Sequence, residues 1–226
     1  MARIARVVLP GYPHHVTQRG NRRQRVFFDG EDYECYLELI AAGCRDSQTK
    51  CLAYCLMSNH VHLILTPDSE GGLRSALAEA HRHYTRRVNF RNGWRGHLWQ
   101  ERFHSFPMNG AHLAAAVRYV ELNPVRANLV SRAKDWMWSS TNAHLTGTGD
   151  ALVSVEPMLE MFSDWEGYLG EQDQRQAERF RVHTRTGRPL GDPKFIQVAE
   201  SLTGRVLAPQ KAGRKPVNID AGVKEK

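Results

Sequence analysis

Two short apolar runs, residues 50–57 and 61–66, stand on either side of Ser58-Asn59. Runs of that length are strands rather than helices, and a two-residue polar break between them suits a β-hairpin. The flanking segments must then cover the sheet. Upstream, Tyr36, Leu37, Ile40 and Ala41 recur at helical spacing within residues 33–44, with Asp29 or Asp32 placed to cap the helix. Downstream of Pro67 and Gly71-Gly72, residues 73–90 form a basic amphipathic helix. Residues 7–18 read as a strand broken at Gly11-Tyr12-Pro13, and residues 98–108 as extended chain carrying Trp99, Phe103 and Phe106. Residues 111–122 are Ala-rich and helical, stopped near Pro124. Strand, helix, strand, strand, helix, strand, helix is the order of an α+β sandwich of the split βαβ kind with an antiparallel sheet.

Trp136 and Trp138 then bring a short closing segment onto the core. From about residue 145 Gly and Thr accumulate and Pro157 follows, which marks a linker or domain edge. The remainder reads as a small helical appendage ending in a basic tail, residues 209–216. With 226 residues the chain has room for one packed domain with an appendage, or for two small domains. No apolar run approaches the roughly 20 residues that span a bilayer. No long apolar core follows Arg3 and Arg6, so the expectation is a cytoplasmic protein with no membrane partner. Cys35, Cys44, Cys51 and Cys55 contain no C-x-x-C pair. They read as buried free thiols of a reducing compartment, with Cys51 and Cys55 on the same side of their strand.

Net charge is +7, and its distribution says more than its sum. Residues 1–30 hold 6 basic and 1 acidic residue, residues 72–106 hold 7 and 2, and residues 175–226 hold 12 and 5. Residues 135–174 hold 8 acids and no Lys or Arg. Of the 31 basic residues 24 are arginine, which favours forked phosphate contacts and base stacking. A polyanion partner follows, with the acidic stretch as a competitor for the basic surface; the competing reading is a generically solvated basic protein.

Two motifs carry chemistry. In Met57-Ser58-Asn59-His60-Val61-His62, two imidazoles two residues apart on a strand share one face and suit a single divalent ion. Alternatively His60 belongs to the turn and only His62 to the sheet. In Tyr119-Val120-Glu121-Leu122-Asn123-Pro124-Val125-Arg126, Tyr119 and Asn123 share a helix face if Asn123 is the last helical residue. A phenol ionises near a pH of about 10 and is a weak nucleophile at neutrality, so its attack on a phosphate needs a metal to polarise the target. The plainer reading makes Tyr119 a half-buried helix aromatic and Asn123 a C-terminal cap. Arg19, Asn21, Arg22 and Arg23 form a basic turn suited to phosphates and base edges, and Arg82, Arg86 and Arg87 lie on one helix that could track a backbone. His81, His83, His97 and His104 are further candidate contacts, and Trp94 and Trp99 candidate stacking residues, Trp99 more naturally a core residue.

Taken together, the run from Pro13-His14-His15-Val16-Thr17-Gln18-Arg19-Gly20-Asn21-Arg22, Asn59-His60-Val61-His62, Leu98-Trp99-Gln100 with Arg102-Phe103, and Tyr119 through Arg126-Ala127 resembles the REP-associated tyrosine transposases. These are relatives of the single-tyrosine HUH transposases, named for two His flanking an apolar residue, and the resemblance covers roughly residues 3–145. It implies a ferredoxin-like sandwich, with residues 1–145 as the catalytic domain and residues 146–226 as an acidic linker and basic C-terminal appendage. It implies Tyr119 as nucleophile, and His60, His62 and Asn123 as ligands of Mg²⁺ or Mn²⁺. DNA contacts are expected from Arg19, Asn21, Arg22, Arg23, Arg82, Arg86, Arg87 and Arg126. The implied activity is cleavage and rejoining of single-stranded DNA hairpins at repetitive palindromic elements, by a monomer or homodimer associated with the nucleoid. Ser58 stands where relatives often have Pro, and Asn128 where they often have Gly. The alternatives are a non-catalytic repeat-binding protein on the same scaffold and a metal nuclease that uses water. Residues from Arg175 onward are expected to add DNA contacts or to fold back over the active site.

Overall fold

The computed structural model describes residues 5–162, 164–170 and 174–208. In chain order its elements begin β1 (His14–Arg19), α1 (Gly30–Asp46), β2 (Lys50–Met57), β3 (His60–Thr66), α2 (Gly72–Asn92), β4 (His104–Pro107) and α3 (Gly110–Glu121). They continue with α4 (Asn123–Arg126), α5 (Thr141–Thr146), α6 (Glu156–Leu159), α7 (Trp165–Gly170), α8 (Gln174–Thr186) and α9 (Pro193–Thr203). The four strands form one antiparallel sheet in the order β2-β3-β1-β4. With α1 crossing from β1 to β2 and α2 from β3 to β4, this is the expected ferredoxin-like α+β sandwich.

One sheet face is covered by α1 and α2. Tyr36, Ile40, Leu73, Leu77 and Tyr84 pack there on Val16, Val61, Leu63 and Leu65, all buried. The Asp29 carboxylate accepts the Asp32 N–H at 3.0 Å and caps α1. Gly43 lets the helices approach closely, since a Cβ there would lie 2.2 Å from the Ala76 carbonyl oxygen. The opposite face carries α3 and α8, where Val117, Val120 and Phe180 cluster with Ile64, Phe106, Ala53 and Cys55.

Later segments add to both edge strands, which reduces the exposed edge that invites intermolecular pairing. Along β2, Leu56 N–H donates to Trp138 O at 2.8 Å, Ser140 N–H to Tyr54 O at 3.0 Å, and the Trp136 indole to Leu56 O at 3.1 Å. The two tryptophans thus close the core as expected. Along β4, Leu190 N–H donates to Pro107 O at 2.8 Å. Residues beyond 146 return to the sheet: Val153 bridges Cys51, Leu190 bridges Met108, and α8 packs on β1, β4 and α3.

The structure corrects several expectations. Residues 7–13 are not a strand: Gly11 turns the chain at φ 76, and Val7 and Leu9 leave the sheet to pack with Phe195, Ala199 and Leu207 near α9. Residues 98–103 are not a strand either, because only a single bridge between Gly20 and Trp99 pairs them. Cys51 and Cys55 face opposite sides of β2, since a bulge between Cys51 and Ala53 inverts the alternation. All four cysteines are free, and Cys44, Cys51 and Cys55 are buried. Among the described residues no helix is long and apolar enough to cross a membrane. The basic tail at residues 209–216 lies outside the described residues.

Candidate active site

Strand register assembles the site. β1 and β3 pair Arg19 with His60, Thr17 with His62, and His15 with Ile64. Alternate residues share a face, so His15, Thr17 and Arg19 stand beside His60 and His62 on the side covered by α3 and α8. His60 is the first residue of β3 rather than part of the turn. The two imidazole centroids are 4.9 Å apart with planes at 74°.

Hydrogen bonds identify which nitrogen each ring leaves free. The Asn59 amide nitrogen donates to Arg23 O at 3.0 Å, which turns its Oδ1 toward His60 Nδ1 at 2.6 Å. Oδ1 can only accept, so His60 carries its proton on Nδ1 and its Nε2 lone pair is free. His62 Nδ1 lies 2.9 Å from His15 Nε2, so its Nε2 likewise faces away from that partner. Both rings are held neutral. Burial, reinforced by Arg19, pushes the His60 imidazole down to about 4. Burial and the neighbouring His60, His15, Arg126 and Arg19 hold His62 well below the usual histidine range.

Tyr119 comes from the last turn of α3. Its ring stands edge-on to His62 at 6.0 Å and lies 5.1 Å from Phe180. Asn123 is not the end of that helix: α3 stops at Glu121, the chain bends at Leu122 (φ −82, ψ 4), and Asn123 opens α4. Pro124 follows, where a missing N–H is harmless. Asn123 still faces the site. Its amide nitrogen donates to Tyr119 O at 3.1 Å and Val120 O at 3.2 Å, leaving Oδ1 outward. The Arg126 guanidinium donates to the Tyr119 carbonyl and sits 4.2 Å above the Tyr119 ring. Asn128, just beyond, takes φ 54, a left-handed conformation that Asn tolerates better than most residues.

His60, His62, Tyr119, Asn123 and Arg126 line one cavity of about 830 Å³, with Arg19, Arg23, Arg181 and Arg185 on its walls. Among the described residues no group of three His, Cys, Asp or Glu side chains is placed to hold a metal. The donors gathered here are of another kind: two neutral imidazole nitrogens and an amide oxygen, each with its other polar atom committed elsewhere. That set fits a divalent cation and leaves the cation's charge for an anionic ligand.

Other candidates fall elsewhere. Asn21 and Arg22 sit on the turn outside the cavity lining, in a 3-10 turn with Arg22 at φ 53 and Arg23 at φ 61. Arg82, Arg86 and Arg87 lie on α2, across the sheet from the His pair; Arg82 pairs with Glu79 and Arg87 with Glu31 at 3.3 Å. His81 is packed against Tyr36, whose hydroxyl lies 3.0 Å from its Nε2, and His104 pairs with Glu101 at 2.7 Å. Trp99 is a core residue at 8% exposure, whereas Trp94 is exposed. Among the described residues the acidic stretch contributes no lining residue, and basic α8 supplies part of the wall through Arg181, Thr184 and Arg185. Sequence reasoning did not single out these three or His15. The segment from Arg175 onward was expected to add DNA contacts or to fold back over the active site, and α8 does line the cavity. Which of its residues face the His pair was not legible, although Arg181 and Arg185, four apart on a helix, offered a signal.

Residues 10–123 match the family model described as Transposase IS200 like. No curated protein matches the chain. Among solved structures, a REP-associated tyrosine transposase bound to a REP hairpin superposes with TM-score 0.52 at 21% identity, covering 68% of this chain and 92% of that one. That likeness shows the fold. A structure from Deinococcus radiodurans assigned as a transposase reaches TM-score 0.38 at 17% identity, covering 53% of this chain and 96% of that one, too loose a match to carry any argument.

Proposed function

The chain belongs to the IS200-like transposase family, and from that premise we propose that it cleaves and rejoins single-stranded DNA through a covalent bond between Tyr119 and a 5′-phosphate. The observation that carries this reading is the convergence of a tyrosine hydroxyl, two free imidazole nitrogens and a free amide oxygen on one arginine-walled cavity. His60, His62 and Asn123 would hold Mg²⁺ or Mn²⁺, which when bound supplies Lewis-acid polarisation of the scissile phosphate.

The Tyr119 oxygen forms a bond to phosphorus while the bond from phosphorus to the 3′-oxygen breaks. The phenol proton leaves Tyr119, and the departing 3′-oxygen ends as a hydroxyl. One phosphoester replaces another, so the reverse step joins a new 3′-end without ATP. Arg126 stacks on the Tyr119 ring and sets a positive charge against the face of the nucleophile. Arg19, Arg23, Arg181 and Arg185 bind the flanking phosphates. In this reading residues 1–145 carry the chemistry and residues 146–226 are an appendage whose α8 adds DNA contacts. The solved relative bound to a REP hairpin supports hairpins at repeated palindromes as the substrate, and hence a nucleoid location. Arg82 and Arg87 would have to release their carboxylates to track such a hairpin; Arg86 would not.

The test is a labelled single-stranded hairpin incubated with Mg²⁺ or Mn²⁺ and resolved on a denaturing protein gel. We expect a protein–DNA adduct that is lost in Tyr119→Phe and when EDTA is present. Cleavage without an adduct would favour a water-using nuclease, and binding without cleavage a repeat-binding protein.

A further inference from the structure

His62 owes its orientation to a residue outside the proposed cation ligands. The pairing of Thr17 with His62 puts His15 on the diagonal to His62, on the same sheet face. The two rings lie nearly parallel, 7° apart in plane. His15 is 2% exposed and boxed by Phe106 at 5.4 Å, Tyr119 at 5.8 Å and Phe180 at 6.4 Å. In that box its polar neighbours are His62 on Nε2, at 2.9 Å, and Thr184 of α8 on Nδ1, at 3.5 Å.

A hydroxyl carries one proton, and that of Thr184 is committed to the Phe180 carbonyl at 2.9 Å. Toward His15, then, Thr184 Oγ1 can only accept, so His15 carries its proton on Nδ1. A neutral imidazole with a proton on Nδ1 has a lone pair on Nε2, and His62 must therefore donate from its own Nδ1. We infer that His15 and Thr184 are positioning residues, which through this one-way chain of hydrogen bonds hold His62 with its proton on Nδ1 and its Nε2 lone pair turned to the cation site. The inference rests on the reading of His60, His62 and Asn123 as cation ligands. Asn59 and Arg23 do the same for His60 from the other side. Ligating histidines are commonly fixed in this way through their second ring nitrogen. What is particular here is that the far end of the chain lies on α8, outside the residues 10–123 matched to the family. The C-terminal segment thereby takes part in shaping a ligand that the strand supplies.

Two measurements on the full chain test this. Long-range ¹H–¹⁵N spectra of the metal-free protein read which nitrogen of His62 holds the proton, and Mn²⁺ titration followed by electron paramagnetic resonance reads affinity without any reaction. We expect His62 as the Nδ1–H form in the wild type. Thr184→Val removes the acceptor at nearly constant shape and should raise the Mn²⁺ Kd about tenfold, at the lower end of outer-shell effects. Thr184→Ser should restore affinity. His15→Phe should cost more than Thr184→Val, and His15→Gln, which keeps an acceptor, less than His15→Phe. The two Thr184 variants keep the test valid should His15→Phe fail to fold. A wild-type His62 protonated on Nε2, or a Thr184→Val protein that binds Mn²⁺ as the wild type does, overturns the inference while leaving the cation site standing. A wild type that binds no Mn²⁺ overturns the cation site itself, and the inference with it.

Discussion

Glu121 offers a sharp test of how the site is braced. It lies two residues after Tyr119, is 0% exposed, and accepts three hydrogen bonds from two separate parts of the chain. Ser140 Oγ donates at 2.7 Å and His144 Nδ1 at 2.6 Å to one oxygen, and the Trp165 indole donates at 2.8 Å to the other. The carboxylate therefore ties the end of α3 to the strip beside β2, to α5 and to α7. Glu121→Ala would strand three buried donors. Each unsatisfied buried group costs about 1–3 kcal/mol, and breaking a buried charged cluster typically costs about 3–5 kcal/mol in all. We expect a loss in that range by urea unfolding, with an unchanged dependence on denaturant. Trp165→Phe removes one donor of the three and should cost about 1 kcal/mol. With Glu121 already replaced, the Trp165 change should cost much less, since its partner is gone. A Glu121→Ala protein within about 1 kcal/mol of wild type would refute the argument that this carboxylate braces the helix.

Arg126→Met should lower the cleavage rate about 100-fold or more while the protein stays folded, with Arg126→Lys intermediate because an ammonium does not stack as a guanidinium does; single-turnover adduct formation reads this. Burial holds the His14 imidazole down at about 4, below its usual 6.5, while its Nε2 accepts from Leu9 N–H and its Nδ1 donates to Tyr12 O. Between pH 6.5 and about 4 the unfolded chain takes up a proton that the folded chain refuses, so stability falls as pH drops through that window. Unfolding titrations of His14→Gln should show a slope shallower by up to one proton, on the order of 1.4 kcal/mol per pH unit. Gly43→Ala should destabilise by about 1–3 kcal/mol, because its Cβ would meet Ala76 backbone and push α1 from α2; thermal melting checks it.

The legible parts of this protein were those governed by local periodicity. The hairpin of β2 and β3, the caps and stripe of α1, and the length of α2 all follow from spacings of two and 3.6 residues within single segments. Where the fold departs from local periodicity, a nonlocal contact outweighs it. Val7 and Leu9 alternate well enough for a strand, but their burial lies against α9, nearly two hundred residues away. Cys51 and Cys55 obey the strand period until one bulge reverses it, and no residue type announces that bulge. Asn123 begins a new helical turn because the bend at Leu122 comes before the proline, yet its side chain reaches the face expected of it.

By itself, the sequence determined the order of strands and helices along the chain, the placing of two imidazoles on one strand face, and the four-residue spacing of Tyr119 and Asn123. Those outcomes depend on backbone geometry that repeats every two or four residues, so a local string suffices to encode them. The tertiary structure alone decided that His15 stands diagonal to His62, and which residues of basic α8 wall the cavity. Each of these is a contact between segments far apart in sequence. Such contacts are selected by packing and by the satisfaction of buried polar groups, which are properties of the assembled chain and of no segment within it.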